Sequence, residues 1–215
     1  GWTGCKDADM WMYPVVALWR PDFMSKMLQY RVDRLPGARA NAQLYGNEGA
    51  MIPVMTCGSG AEATSSQGNI TDLGVHELHQ SADTVFEAQQ HWRLTGAKDL
   101  DWVHKVGLPL ASGVADFYAS RASVRHDGSG SDQLHFEAAC GPDEHNVFVN
   151  DSAYLIGAAI TAIDFAIELA HVAAVTDQYN VSKWQDTIRR LSPSLPFDSA
   201  RQFHPEFEGM DKSYD

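Results

Sequence analysis

The chain has 215 residues, 44% of them hydrophobic and 20% charged, and its 16 Lys and Arg against 28 Asp and Glu give a net charge of −12. This composition excludes wholly disordered and fibrous proteins, and the negative charge disfavours nucleic acid and anionic membranes as partners because their phosphates repel it. The best apolar stretch, residues 153–174, carries Asp164, Glu168 and His171, so we predict no membrane span.

Helical periodicity dominates the first half of the chain. Apolar residues recur at three-to-four spacing, and the breaks fall at Pro21, Gly46 and Gly96, which are typical helix boundaries. The predicted helices cover residues 9–20, 21–30, 35–45 and about 78–95. They follow one another as consecutive pairs.

The second half begins with another helical run, from Val103 to Phe117, in which Pro109 marks a new start. The only strong strand pattern is residues 134–138, where apolar and polar residues alternate, and it runs directly into residues 140–144. Two further helices are predicted over 152–174 and 183–191. Helix pairs joined by long loops indicate an all-α toroid in which inner and outer helices alternate and loops at one end build the site.

Several candidate sites are weak. Cys5, Cys57 and Cys140 are too few for a disulfide framework and have no zinc-site spacing. His76 and His79 lack the i, i+4 spacing of a zinc-protease helix, so we predict no metal and no other cofactor. The segment 57–60 lacks the first glycine of a serine-hydrolase elbow.

The stronger signal is a set of carboxylates in unusual surroundings. Members of this set are Asp7, Asp9, Glu62, Glu77 and the Asp143–Glu144 pair after Gly141–Pro142. Acid catalysis on a sugar needs a carboxyl group that stays protonated near neutral pH, and a loop among apolar neighbours favours that state by desolvation. Glu144 is placed for this role. The alternative is that residues 141–144 form an ordinary turn.

Five short blocks follow one another along residues 6 to about 209: Lys6 to Pro14, Gln29-Tyr30-Arg31, Gly46 to Pro53 followed by Gly60-Ala61-Glu62, Glu77-Leu78-His79, and Gly141-Pro142-Asp143-Glu144 with Val149-Asn150 and Ala153-Tyr154. In content and order these blocks resemble those of glycoside hydrolase family 65. The Gly-Pro-Asp-Glu run is the most specific of them.

The resemblance implies an inverting catalytic domain for α-glucosides, built as an (α/α)6 barrel with a short strand or hairpin before the catalytic loop. Glu144 is then the general acid that protonates the leaving oxygen. Lys6, Asp7 and Asp9 are expected to bind the glucose that is attacked, and Glu62 and His79 to shape the same pocket. The expected substrate is a small-molecule or protein-linked α-glucoside, either trehalose or a glucosyl-galactosyl-hydroxylysine unit.

Two alternatives accompany this reading. One is a disaccharide phosphorylase that uses inorganic phosphate and yields β-glucose 1-phosphate; the other is an inactive or sugar-binding remnant. The stretch 203–209 is more similar to the hydrolytic branch, the acid trehalases and protein-glucosylgalactosylhydroxylysine glucosidases, than to phosphorylases. The family pattern is broken at Lys6, Ala8, Asp9, Val54, His145 and Asn146.

We interpret residues 1–215 as an incomplete (α/α)6 glycosidase domain, because the barrel needs twelve helices and the sequence predicts seven or eight. The general base is expected beyond Asp215. Sequons at Asn69, Asn150 and Asn180 slightly favour a secretory, extracellular or vacuolar location over a cytoplasmic one, and the oligomeric state stays open.

Overall fold

The structure is a computed structural model that describes residues 4–5, 8–64, 73–125, 128, 130–143 and 146–210. Helices dominate it, so the predicted all-α class is confirmed. The α-helices are α1 (Tyr13–Trp19), α2 (Pro21–Val32), α3 (Leu35–Leu44), α4 (Leu73–His76), α5 (Gln80–Leu94), α6 (Leu100–Trp102), α7 (Leu108–Arg121), α8 (Ala153–Val172) and α9 (Val181–Leu191). Single π-helical turns precede α1 (Ala8–Met12) and α7 (Val103–Gly107), and 3-10 turns flank α9 (Thr176–Gln178 and Ser192–Ser194).

The helix boundaries follow the proline and glycine signals in the sequence. Pro14, Pro21, Pro36 and Pro109 each occupy one of the first two positions of a helix, where the missing N–H group has no helical partner to lose. The predicted helix over 9–20 is divided into a π turn and α1. The prediction of Pro109 as a new start agrees with the change from π turn to α7 at Leu108.

Within the described residues, four short strands form two antiparallel pairs. β1 (Gly4–Cys5) pairs with β2 (Met55–Thr56), and β3 (Ser123–Val124) pairs with β4 (Leu134–His135). The strand predicted over 134–138 is therefore present only at its first two residues. The other three were not predicted, because two residues are too few to leave an alternating pattern.

The core lies between α5, α7, α8 and α9. α8 contacts all three of the others, and Phe165, Trp92 and Trp184 are fully buried among them. Trp92 stacks on Trp102 with ring centroids 5.6 Å apart. α8 has the length and composition to cross a membrane, the one such helix in the described ranges, but half of its apolar window is buried, as in a core helix.

Helices α5 and α8 run parallel. Near their starts the Tyr154 hydroxyl donates to Asp83 Oδ1 (2.8 Å), and near their ends the Trp92 indole donates to Glu168 Oε1 (3.2 Å). The π turn before α1 joins the same end, since Asp9 contacts the first turn of α5 through Gln80. Three helical segments therefore begin at one end of the molecule.

α1 has an exposed apolar face. Trp11 in the preceding turn is 71% exposed, and Val15, Leu18 and Trp19 are 59%, 71% and 80% exposed. We call these four residues the α1 face. Most of the other large apolar side chains are buried or half-buried, so the α1 face stands out from the rest of the described surface.

Candidate active site

The loop that follows β4 is fixed on both sides before it reaches Glu144. Ala139 and Val149 pair across it in a bridge, and the Cys140 N–H donates to the carbonyl of His76 (2.8 Å) just before α5. Asn146 Nδ2 donates to Asp143 Oδ2 (2.8 Å). Glu144 itself, the predicted general acid, lies outside the described residues, but both flanks of its turn are held.

Asp151 closes the base of this loop. It is 2% exposed and has a positive φ of 48°. Its carboxylate accepts hydrogen bonds from Arg125 Nη2 (2.8 Å) and the Phe136 N–H (3.0 Å), and His135 Nδ1 lies 2.7 Å from the same group. These contacts join β4 to the start of α8 and set the width of the loop between them.

The start of α5 carries a buried acid–base network. His79 is 2% exposed; its Nδ1 lies 2.8 Å from Asp83 Oδ2, and its Nε2 lies 3.1 Å from Glu77 Oε1. Burial opposes the charge on the imidazole, but hydrogen bonds with Asp83 and Glu77 outweigh it and raise the pKa of His79 to about 9. Tyr154 completes the network through Asp83. At neutral pH His79 is therefore a buried cation held between two carboxyl groups.

Asp9 is the centre of a second buried network. Its side chain is fully buried, and Oδ2 accepts hydrogen bonds from Arg31 Nη2 (2.6 Å), Gln80 Nε2 (2.7 Å) and Thr84 Oγ1 (2.7 Å). Burial and the neighbouring Asp9 carboxylate raise the pKa of Glu87 well above its ordinary range, so Glu87 is a neutral acid in this cluster. The described contacts of Asp9 are internal and anchor the π turn to α2 and α5. Its predicted role in binding glucose stays a prediction.

Glu62 organises the loop around β2. Its carboxylate accepts hydrogen bonds from the N–H groups of Val54 (2.8 Å) and Met55 (3.1 Å), and from the N–H (2.8 Å) and hydroxyl (2.6 Å) of Thr64. β2 in turn pairs with β1, which leads directly into Lys6 and Asp7. Both of those predicted substrate ligands lie outside the described residues. The segment carrying them is held by β1 on one side and by Asp9 on the other.

The two anchored segments contact the chain on either side of the connection between α4 and α5. The segment after β1 reaches Gln80 through Asp9, and the loop after β4 reaches His76 through Cys140. A cavity of about 310 Å³ lies alongside, between α5, α8 and Met10, with Asp83 and Tyr154 among its walls. No group of three or more metal-ligating side chains occurs in the part of the chain that the structure describes.

Sequence reasoning missed several members of these networks. Asp83 stands four residues after His79, a spacing that places both on one helix face and could have identified it. Arg31 and Tyr154 were noted only as parts of motifs, with no role. Gln80 and Glu87 carry no signal in the sequence, because their partner Asp9 is more than 70 residues away along the chain.

Sequence comparison with known proteins identifies the family of this chain. A family model for the glycosyl hydrolase family 65 central catalytic domain matches residues 3–213. A protein-glucosylgalactosylhydroxylysine glucosidase from Danio rerio is 33% identical, over 94% of this chain and 29% of its own length. A kojibiose hydrolase from Flavobacterium johnsoniae is 30% identical, over 91% of this chain and 29% of its length.

A solved structure from the human microbiome, assigned as a kojibiose phosphorylase, has the same fold. It superposes with a TM-score of 0.79 over 96% of this chain and 27% of its own, at 17% identity. The chain thus spans less than a third of the length of these proteins. The match of the family model over residues 3–213 shows that the chain belongs to glycosyl hydrolase family 65, within its central catalytic domain.

Proposed function

We propose that the intact protein containing this chain hydrolyses an α-glucosidic bond with inversion, releasing glucose, and that this chain forms part of an (α/α)6 barrel. The observation that carries the proposal is that two anchored segments reach the α4–α5 connection, one at Gln80 at the start of α5 and the other at His76 at the end of α4. One carries Lys6 and Asp7, and the other carries Glu144. Parallel segments that begin at one end of the molecule support an inner layer of helices with the site at that end.

Each residue has a distinct proposed task. Glu144 protonates the leaving glycosidic oxygen, and Asp7 accepts hydrogen bonds from glucose hydroxyls, where a carboxylate acceptor gives bonds about twice as strong as a neutral one. Lys6 adds donors to the same sugar. An inverting reaction also needs a second group about 6.5–9.5 Å from the acid, with room for water between them. We assign that base to the intact protein outside residues 1–215.

The buried residues set the shape of the pocket. Asp9 holds the segment of Lys6 and Asp7 at a fixed distance from α5, and Glu62 holds the β2 loop that pairs with it. His79 links the start of α5 to Tyr154 on α8 through Asp83. Positioning of this kind contributes to catalysis because a displacement of 1 Å in an active site can cost about 100-fold in rate.

The proposed substrate class is an α-glucoside, and the test panel combines the sugars named for the relatives with trehalose, which the sequence resemblance suggested. The intact protein is incubated with trehalose, kojibiose and a glucosylgalactosyl-hydroxylysine compound, and glucose release is measured with and without added phosphate. We expect release that does not depend on phosphate, and loss of release in Glu144→Gln. Glu48→Gln is the matched control, since Glu48 is an exposed glutamate that pairs with Lys183 on the surface.

Other outcomes decide against the proposal. Release that requires phosphate and yields β-glucose 1-phosphate assigns the phosphorylase alternative. Saturable sugar binding without turnover in the intact protein assigns the sugar-binding remnant. Activity in Glu144→Gln equal to that of Glu48→Gln removes Glu144 from its role.

A further inference from the structure

The segment containing Glu206 lies against the loop that leads into Glu144. The Glu206 carbonyl accepts a hydrogen bond from the Ala153 N–H (2.8 Å) at the start of α8, and the Glu208 N–H donates to the Asn150 carbonyl (3.1 Å). The main chain of this segment is therefore hydrogen-bonded both to the start of α8 and to Asn150, which precedes α8 at the end of the loop. The Glu206 side chain is half-buried at this junction.

Glu206 and Asp143 present carboxyl oxygens to the same side of Gly141. A Cβ atom placed on Gly141 would lie 3.4 Å from Glu206 Oε1 and 3.5 Å from Asp143 Oδ1. Asp143 Oδ1 is buried, and no N–H or hydroxyl group in the described ranges donates to it. The other oxygen, Oδ2, already accepts from Asn146. A buried acceptor of this kind calls for a donor.

The charges around the pair favour one shared proton. Within the described ranges no Lys, Arg or His forms an ion pair with Glu206 or Asp143, and Arg125 pairs instead with Glu137, Asp151 and Glu208. Two ionised carboxylates side by side would repel each other, and one proton between them removes the repulsion. Partial burial and the Asp143 carboxylate raise the pKa of Glu206, in the direction this arrangement requires.

We propose that Glu206 is a positioning residue: its protonated carboxyl group donates a hydrogen bond to Asp143 Oδ1 and so holds the turn that carries Glu144. The catalytic consequence of this inference rests on the proposed function, whereas the hydrogen bond between Glu206 and Asp143 does not depend on it. Gln is the neutral isostere of a protonated Glu and can donate from its amide, whereas Ala cannot. Glu206→Gln therefore keeps the contact and Glu206→Ala removes it.

The first experiment is independent of activity and uses the intact protein that contains this chain. Infrared difference spectra and carboxyl carbon NMR follow Glu206 through a pH titration, with Glu206→Gln to assign the signals. We expect a protonated carboxyl signal that persists above the pH at which an exposed glutamate ionises, and that disappears in Glu206→Gln. A Glu206 signal that titrates like that of an exposed glutamate overturns the proposed hydrogen bond.

The second experiment measures kcat and KM of the intact protein. We expect Glu206→Ala to lower kcat by 10-fold or more with a small change in KM, because substrate contacts stay while the acid is displaced; a displacement of 1 Å can cost about 100-fold. Glu206→Gln should restore most of that loss and remove the contribution of Glu206 from the alkaline limb of the pH profile. Glu48→Gln is again the matched control, because Glu48 is an exposed glutamate whose partner Lys183 lies on the surface.

The two experiments separate the possible failures. If Glu206→Ala matches Glu48→Gln in kcat, or if Glu206→Gln is as impaired as Glu206→Ala, the positioning role is wrong. If Glu144→Gln stays active while the spectroscopic signal of Glu206 is as expected, the proposed function is wrong and the carboxyl pair stands as a structural feature.

Discussion

Replacing Arg31 by Met tests the buried network around Asp9. Arg31 and Asp9 are 2% and 0% exposed and 2.6 Å apart, and removing one partner of a buried ion pair costs about 3–5 kcal/mol. Met preserves much of the aliphatic packing but leaves the carboxylate unpaired. The buried Asp9 carboxylate then has no countercharge in contact with it, which is the source of the expected loss of stability.

Urea denaturation of the 215-residue chain at pH 7 measures this loss. With a slope of about 2.5 kcal/mol per molar urea, a loss of about 4 kcal/mol lowers the midpoint by roughly 1.5 M. Arg20→Met is the matched control, because Arg20 pairs with Asp22 on the surface, and we expect no resolvable shift in its midpoint. The reasoning is refuted if the two variants unfold at the same urea concentration.

Three further predictions concern stability, each measured by thermal and urea unfolding. Gly49→Ala should be strongly destabilising, because a Cβ atom on residue 49 would lie 2.3 Å from the Gly113 carbonyl oxygen. Gly46 has the same φ of 75° but open space around it, so Gly46→Ala should cost only about 1–2 kcal/mol. Equal losses of stability in the two variants would contradict the clash. Tyr118→Phe should lower the free energy of unfolding by about 1–3 kcal/mol, since the buried hydroxyl donates to one main-chain carbonyl (2.8 Å) and accepts from one N–H (3.0 Å). An unchanged stability would show that these two hydrogen bonds make no net contribution. His79→Gln should flatten the dependence of stability on pH. Because the pKa of His79 is raised to about 9 in the fold, its protonation stabilises the fold fully below the unfolded pKa of about 6.5, and this stabilisation is lost as the pH rises through 9. An unchanged slope of stability against pH in the variant would exclude His79 as its source.

The longer helices were predictable because each repeats its apolar spacing and several begin at a Pro or end near a Gly, whereas α4 and α6, with four and three residues, were not predicted. α8 is the clearest case, with twenty residues and a polar face on which Glu168 pairs with Arg93. The strands were not predictable apart from β4, since they are two residues long and depend on partners far away in the chain. Local sequence carries helix periodicity but not the pairing of such short strands.

The candidate site was also predictable only in part. Motif order pointed to residues 6–9, Glu62, His79 and Glu144, because each lies in a short block with a recognisable pattern. What the motifs could not supply was the partner of each group. Arg31 stands 22 residues from Asp9, and Glu206 stands 63 residues from Asp143, so only the folded chain brings these charges together.

The fluorescence of the two tryptophans on the α1 face can report whether that face is covered. Trp11 and Trp19 are solvent-exposed, whereas Trp92 and Trp184 are fully enclosed, so the chain contains two classes of indole with different access to water. A soluble quencher such as iodide should extinguish emission from the first class and spare the second. Anything that covers the α1 face, whether another part of a longer polypeptide or a second molecule, will then register as protection from quenching and a shift of the emission to shorter wavelength.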